Sequence, residues 1–186
     1  RFFPGSAPKE NNMADHRLAI FASGTGSNAA VITEYFKDHP SIHIALIVSG
    51  NPAAGVLTFA ENRNIPTLLL EKRRFSHGDA YVKEMHAAGI DFIVLAGFLW
   101  KIPPVLIQAY PGRIVNIHPA LLPKYGGKGM YGMHVHEAVL AHKAKESGIT
   151  IHYVDELYDH GKVLFQESCT VDKNDTPSSL AAKINQ

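Results

Sequence analysis

The sequence predicts a doubly wound α/β domain, with a mostly parallel sheet and an antiparallel hairpin at one edge. Three observations predict it. Short apolar runs alternate with helical patterns from Leu18 to Tyr110, joined by short connections. The run Asp91–Ala96 is apolar without alternation, as a strand buried on both faces requires. Late in the chain, Gly148–Val154 alternates apolar and polar residues, and a second extended run, Val163–Val171, follows across an acidic loop.

The totals fit one such domain. The chain has 186 residues, 46% of them hydrophobic and 19% charged. A formal net charge of +1 gives no field that would gather a polyanion, so no nucleic-acid partner is expected. Cys169 is the one cysteine, which excludes an intrachain disulfide and a cysteine metal cluster and fits a reducing, cytoplasmic setting. The most apolar run, Phe92–Trp100, is too short to span a bilayer, and no membrane association is expected. Arg1–Asn12 opens without methionine and has no periodicity. It reads as a foreign remnant, expected to be disordered, with residues 13–186 as the domain.

Leu18–Ala22 is the first strand, and it runs into Ser23-Gly24-Thr25-Gly26-Ser27-Asn28. A helical pattern follows, with Ala29, Ala30, Ile32, Tyr35 and Phe36 at its apolar positions. Strand, glycine loop and helix are the parts of an anion site, because glycine lets the backbone approach and the first helical N–H groups are free. They are equally the parts of a tight turn. The loop lacks the lysine of a P-loop and the third glycine of a dinucleotide fingerprint. The next strand, Ile42–Val48, ends in Ser49-Gly50-Asn51 without an acid for a ribose.

Pro52-Ala53-Ala54-Gly55 opens a helix to about Asn64, and Thr67–Leu70 is a short strand. Lys72-Arg73-Arg74 reads as a solvated basic turn, with contact to an anionic ligand tail as the alternative. Asp79–Ala88 reads as a helix with Tyr81, Val82 and Met85 on one face and Gly89 as its C-cap. Gly97-Phe98-Leu99-Trp100 leaves the strand Asp91–Ala96, and Trp100 either lines a pocket or caps the core. Pro103–Tyr110 is a short helix with proline at its start.

Arg113–Tyr125 carries the chemistry. Ile114, Val115 and Ile117 make a short strand, and Asn116 and His118 alternate with them, so both lean to one face. Pro119 then stops the ladder. Asn116 can donate to an oxygen that gains negative charge, and His118 can move or hold a proton near neutral pH. Read alone, both are satisfied core or turn residues. In a doubly wound sheet, however, ligands sit outside the carboxyl ends of the strands. The glycine loop and the Asn116–His118 pair fall on that same edge.

Leu121–Met133 is a loop containing Gly126, Gly127, Gly129 and Gly132, and a long loop beside a site is often functional. Met133-His134-Val135-His136-Glu137 begins a helix to about Ala144. His134 and His136 point to different sides and no HExxH occurs, so they read as helix-start and surface histidines, and no metal is expected. On the strand Gly148–Val154, Thr150 and His152 share the side opposite Ile149, Ile151 and Tyr153. A carboxylate from the loop Asp155–Gly161 can reach His118, raise its pKa and fix its orientation. Asp159 is equally an Asx-turn residue beside Gly161. Thr176 N-caps a final helix with Pro177 at its first position, and the chain stops at Gln186 within that helix.

Three pieces in this order resemble the phosphoribosylglycinamide formyltransferases, folate-dependent enzymes of purine synthesis. They are Ser23-Gly24-Thr25-Gly26-Ser27-Asn28, then Asn116-Ile117-His118-Pro119 with Leu122-Pro123-Lys124-Tyr125, then Asp159 ahead of Gly161. The likeness runs from about Leu18 to about Lys183. It implies a formyltransferase-like Rossmann variant that moves the formyl group of its co-substrate, 10-formyltetrahydrofolate, to the amine of glycinamide ribonucleotide without a metal. Asn116 and a protonated His118 would steady the oxyanion, and Asp159 would hold His118 charged and help a water carry protons. Gly26, Ser27 and Asn28 would hold the ribotide phosphate. The pterin would lie near Phe98, Leu99, Trp100 and Ile102 and the loop from Glu156 to Asp159. The resemblance also implies a cis bond before Pro123, small molecules as partners, and a monomer or weak homodimer.

The chain departs from that pattern at Trp100 and near Gly78, where arginine is frequent, which touches the folate-tail contacts and not the chemistry. The loop Gly126–Gly132 is longer than in many relatives, as a lid or an insertion. Relatives usually continue past the position of Gln186 with a further helix turn and an acidic residue near the ribotide phosphate, so weak substrate binding is expected of this chain. A methionyl-tRNA formyltransferase would add a C-terminal nucleic-acid-binding domain and a basic surface. A formyltetrahydrofolate hydrolase would add an N-terminal regulatory domain and differ after the histidine, where Pro119 stands. A nucleotide-binding module without catalysis would not need Asn116, His118 and Asp159 together.

Overall fold

A strand whose successive residues are all apolar must bury both of its faces, and the sheet is arranged to do so. The computed structural model describes residues 15–185, so the expectations for residues 1–12 and for Gln186 fall outside it. The strands are β1 (His16–Phe21), β2 (Ile42–Ser49), β3 (Thr67–Leu69), β4 (Phe92–Ala96), β5 (Ile114–His118), β6 (Glu146–Tyr153) and β7 (Val163–Thr170). They form one seven-stranded sheet in the order β3-β2-β1-β4-β5-β6-β7. β1 to β5 run parallel, and β6 and β7 are added antiparallel at one edge. This is the fold class that the sequence predicts.

Helices α1 (Ser27–Tyr35) and α2 (Gly55–Asn62) cover one face. Leu18, Ile20, Val94 and Val115 point to that side and pack with Ala29, Val56 and Ala60. On the other face Phe21, Ile93, Leu95 and Ile114 pack with Phe75, Met85 and Leu106. Those three belong to α3 (Lys72–His77), α4 (Val82–Ala87) and α5 (Pro104–Ala109). Alternate residues of one strand therefore feed two cores. Each large side chain buried in this way contributes roughly 1.5–3 kcal/mol relative to exposure. α6 (Met133–Ala141) and α7 (Pro177–Ile184) complete the helices. In α7, Thr176 and Ser179 cap each other reciprocally, at 3.1 Å and 2.9 Å. α7 is described to Ile184, with Asn185 at its C-cap position.

Two further local readings are corrected. Lys72-Arg73-Arg74 is a helix start, because the Glu71 carboxylate accepts the N–H groups of Arg73 at 2.8 Å and Arg74 at 2.7 Å. Arg74 is then held by Asp79 at 2.9 and 3.0 Å and by Glu84. The helix expected over Asp79–Ala88 begins only at Val82, because Ala80 and Tyr81 take left-handed φ values of 47° and 59°.

Strand order places the site. β4 lies between β1 and β5, and Phe21, Leu95 and Asn116 share one row of the sheet. The carboxyl ends of β1 and β5 are thus about 10 Å apart.

Candidate active site

β5 presents Asn116 and His118 to one side, and the register of β6 sets His152 opposite Asn116 and Thr150 opposite His118. The loop after β6 adds Asp159, held at a φ of 53°, a conformation that Asp tolerates better than most residues with a Cβ. Its carboxylate is the hub. Asp159 Oδ1 accepts from Asn116 Nδ2 at 3.3 Å and lies 3.6 Å from His118 Nδ1 and 3.5 Å from His152 Nε2. Asp159 Oδ2 accepts the Gly127 N–H at 2.9 Å.

The outer ring nitrogens are held as well. His118 Nε2 is 2.7 Å from the Tyr125 carbonyl, and His152 Nδ1 is 2.8 Å from the Tyr153 carbonyl. A carbonyl only accepts, so each of these nitrogens carries a proton. With that proton on Nδ1, His152 Nε2 can accept from Asn116 Nδ2, 3.1 Å away. His118 offers a bare Nδ1 toward Asp159, and protonation there would create a charge-assisted bond.

Burial and charge oppose each other at this site. His118 is 3% exposed, and burial pushes its pKa below the ordinary 6.5 against the pull of the Asp159 carboxylate and the Tyr125 carbonyl. The free site therefore holds a neutral imidazole at neutral pH. Burial also opposes ionisation of Asp159, but the His152 and His118 rings and the Gly127 N–H together hold it below the usual carboxylate range.

His136 departs from expectation. α6 buries Val135, His136 and Val139, and His136 Nδ1 has no partner among the described residues. Burial and then the nearby His118 push its pKa down. His134 is exposed and lies 3.3 Å from Glu137, as a surface histidine should. Among the described residues no group of three His, Cys, Asp or Glu is arranged to hold a metal.

Gly26 begins α1 at a φ of 83°, and a Cβ there would lie 2.7 Å from Val56 Cγ2 and 3.0 Å from Val56 Cα. Both the conformation and the approach of α2 demand glycine. Among the described residues no side chain caps α1, so the N–H groups around Ser27 and Asn28 point past the helix start. Leu99, Trp100 and Ile102 line an open cavity of about 370 Å³ together with Lys72, Lys101 and Tyr158. Trp100 does both things weighed for it, since it also packs on Phe75 and Phe98, at ring distances of 5.9 and 6.0 Å. Phe98 is not a lining residue; it packs on Phe21 and Phe75 at 5.2 and 5.7 Å. Glu156 is exposed and outside the lining. The Leu122–Pro123 bond is cis, as the resemblance implies.

The structure thus gathers Asn116, His118 and Asp159 and adds His152, which the sequence reading placed beside Thr150 without a role. Its signal was an inward-facing polar residue on an alternating strand, but only the strand register sets it opposite Asn116.

Residues 16–186 match the formyl transferase family. The chain belongs to the formyl transferase family. Over 175 residues it is 43% identical to a chloroplastic phosphoribosylglycinamide formyltransferase of Arabidopsis thaliana, covering 90% of this chain and 60% of that protein. It is 34% identical to the phosphoribosylglycinamide formyltransferase of Bacillus subtilis, covering 91% and 87%. The crystal structure of phosphoribosylglycinamide formyltransferase from Bacillus halodurans matches it with a TM-score of 0.80 at 38% identity, covering 90% and 87%. The chain therefore spans less than two thirds of the plant relative. Among the described residues no helix is long and apolar enough to cross a membrane.

Proposed function

We propose that this formyl transferase moves the formyl group of 10-formyltetrahydrofolate to the amine of glycinamide ribonucleotide, in purine synthesis. The observation that carries the reading is one carboxylate oxygen, Asp159 Oδ1, set 3.3 Å from Asn116 Nδ2, 3.6 Å from His118 Nδ1 and 3.5 Å from His152 Nε2 at the carboxyl end of the sheet. The names of the relatives supply the formyl acceptor, and the resemblance in sequence supplies the folate donor.

The substrate amine attacks the formyl carbon, a C–N bond forms, and the carbonyl oxygen takes up negative charge. Asn116 Nδ2, pre-oriented by Asp159 and His152, turns one N–H to that oxygen. The proton lost by the amine passes to the His118–Asp159 pair, directly or through a water, and the imidazolium so formed gives its Nδ1–H to Asp159 while its charge favours the oxyanion beside it. The same pair returns the proton to N10 as the bond from N10 to the formyl carbon breaks. The products are the N-formyl ribotide and tetrahydrofolate. No step requires a metal.

In this reading Gly26, Ser27 and Asn28 hold the ribotide phosphate at the start of α1. The folate lies along Leu99, Trp100 and Ile102, with Phe98 behind them as support and Glu156 on the rim. Residues 13–186 act as one domain, cytoplasmic, monomeric or weakly dimeric, on small molecules. The test is absorbance-monitored formyl transfer from 10-formyltetrahydrofolate, with and without glycinamide ribonucleotide. Turnover that requires the ribotide is expected. Deformylation at the same rate without it would replace the transferase reading with a hydrolase.

A further inference from the structure

We infer that the turn Tyr125–Gly127 is the positioning element of the His118–Asp159 pair, and that its backbone dictates which nitrogen of His118 faces the carboxylate. The inference rests on the proposed transfer only for its kinetic consequence; the proton placement stands on geometry. Tyr125 adopts a φ of 56°, a left-handed conformation that costs energy for a residue with a Cβ, and so aims its carbonyl at His118 Nε2 from 2.7 Å. Two residues on, Gly127 at a φ of 93° gives its N–H to Asp159 Oδ2 at 2.9 Å.

Gly126, between them, has no left-handed φ, but a side chain there would push on its neighbours. A Cβ there would collide with the Leu122 side chain and come within 3.2 Å of Asp159 Cβ. The turn therefore closes the outer proton of the ring and the outer oxygen of the carboxylate together. Only His118 Nδ1 and Asp159 Oδ1 remain facing each other, 3.6 Å apart. Proton exchange is confined to that inner gap, beside Asn116 Nδ2.

The titratable groups that face the pair come from two further elements, His152 on β6 and His136 on α6. Neither depends on the turn, so disturbing the turn has a signed effect. Loss of the Tyr125 carbonyl removes an influence that raises the His118 pKa, and loss of the Gly127 N–H removes one that lowers the Asp159 pKa.

The test is a histidine-resolved NMR titration of the ¹⁵N-labelled chain. In the wild type, neutral His118 is expected as the Nε2–H tautomer; the Nδ1–H tautomer would overturn the inference. In Gly126→Ala the His118 midpoint is expected at lower pH. Gly129→Ala is the control, since Gly129 has a φ of 90° with open space around it and strains the same loop without touching the pair. Its His118 midpoint should match the wild type. Equal midpoints in Gly126→Ala and wild type, or equal shifts in both variants, would overturn the inference. In turnover, Gly126→Ala should lose roughly tenfold to hundredfold in kcat with KM little changed. A wild type without transfer activity would sink the functional reading and leave the tautomer result to decide this one.

Discussion

Asn116 directs both hydrogens of Nδ2 at its neighbours, one toward Asp159 Oδ1 at 3.3 Å and one toward His152 Nε2 at 3.1 Å. When an oxyanion appears, one of these N–H groups is given up to it while the other keeps the amide oriented. Asn116→Ala should therefore lower kcat by about a hundredfold to a thousandfold with KM nearly constant. Steady-state kinetics at saturating folate and ribotide check this, and a rise in KM alone would contradict it. At this scale the sequence was informative wherever chemistry sits in a side chain at a strand end, as with Asn116 and His118. It was silent on the Tyr125 carbonyl and the Gly127 N–H, because every residue carries those groups. It misplaced His136, whose burial is decided by the packing of α6 and not by its neighbours in sequence.

Thr150 shows how one element holds another. Its side chain is fully buried, donates to the Ala120 carbonyl at 2.6 Å, and accepts from Leu122 N–H at 3.1 Å and Gln166 Nε2 at 2.9 Å. Gln166 also donates to the Leu122 carbonyl at 2.8 Å. Side chains of β6 and β7 thus serve as hydrogen-bond partners for the loop that follows β5 and carries the Tyr125–Gly127 turn. Thr150→Val keeps the shape and removes the hydroxyl, leaving buried groups unpaired. It should cost about 2 kcal/mol of stability, read as a lower urea midpoint; an unchanged midpoint would refute this role. Strands were legible as elements because apolar runs that feed two cores have no other reading. The α3–α4 region was not, because a glutamate cap at Glu71 and left-handed backbone at Ala80 and Tyr81 carry almost no pattern.

The whole sheet gathers the glycine loop after β1, the loop after β4 and the end of β5 on one edge, then closes the site with an antiparallel hairpin. The alternation of strands and helices made that class legible, whereas register, which pairs Asn116 with His152, emerges only when the strands are side by side. The assembled site also sets how stability depends on pH. In the unfolded chain His118 and His136 take protons near their ordinary 6.5, whereas burial delays this to lower pH in the fold. The unfolded state then binds more protons as the pH falls. Their contribution is complete above about 6.5 and is lost as the pH drops through the folded values, and Asp159 adds the same sign below its ordinary 3.8. The urea midpoint should fall between about pH 7.5 and about pH 5.5. A constant or rising midpoint would contradict this balance.

The most direct measurement compares ribotide-dependent formyl transfer by the wild type and by Asp159→Asn. Asparagine tolerates the φ of 53° at this position and keeps the size of the side chain, so the fold is expected to stay while the charge and one of the two acceptor oxygens are lost. A carboxylate that governs the proton of His118 predicts a loss of at least about a hundredfold in kcat. Turnover within about twofold of the wild type would mean that Asp159 is a turn residue and that the proton travels by another route.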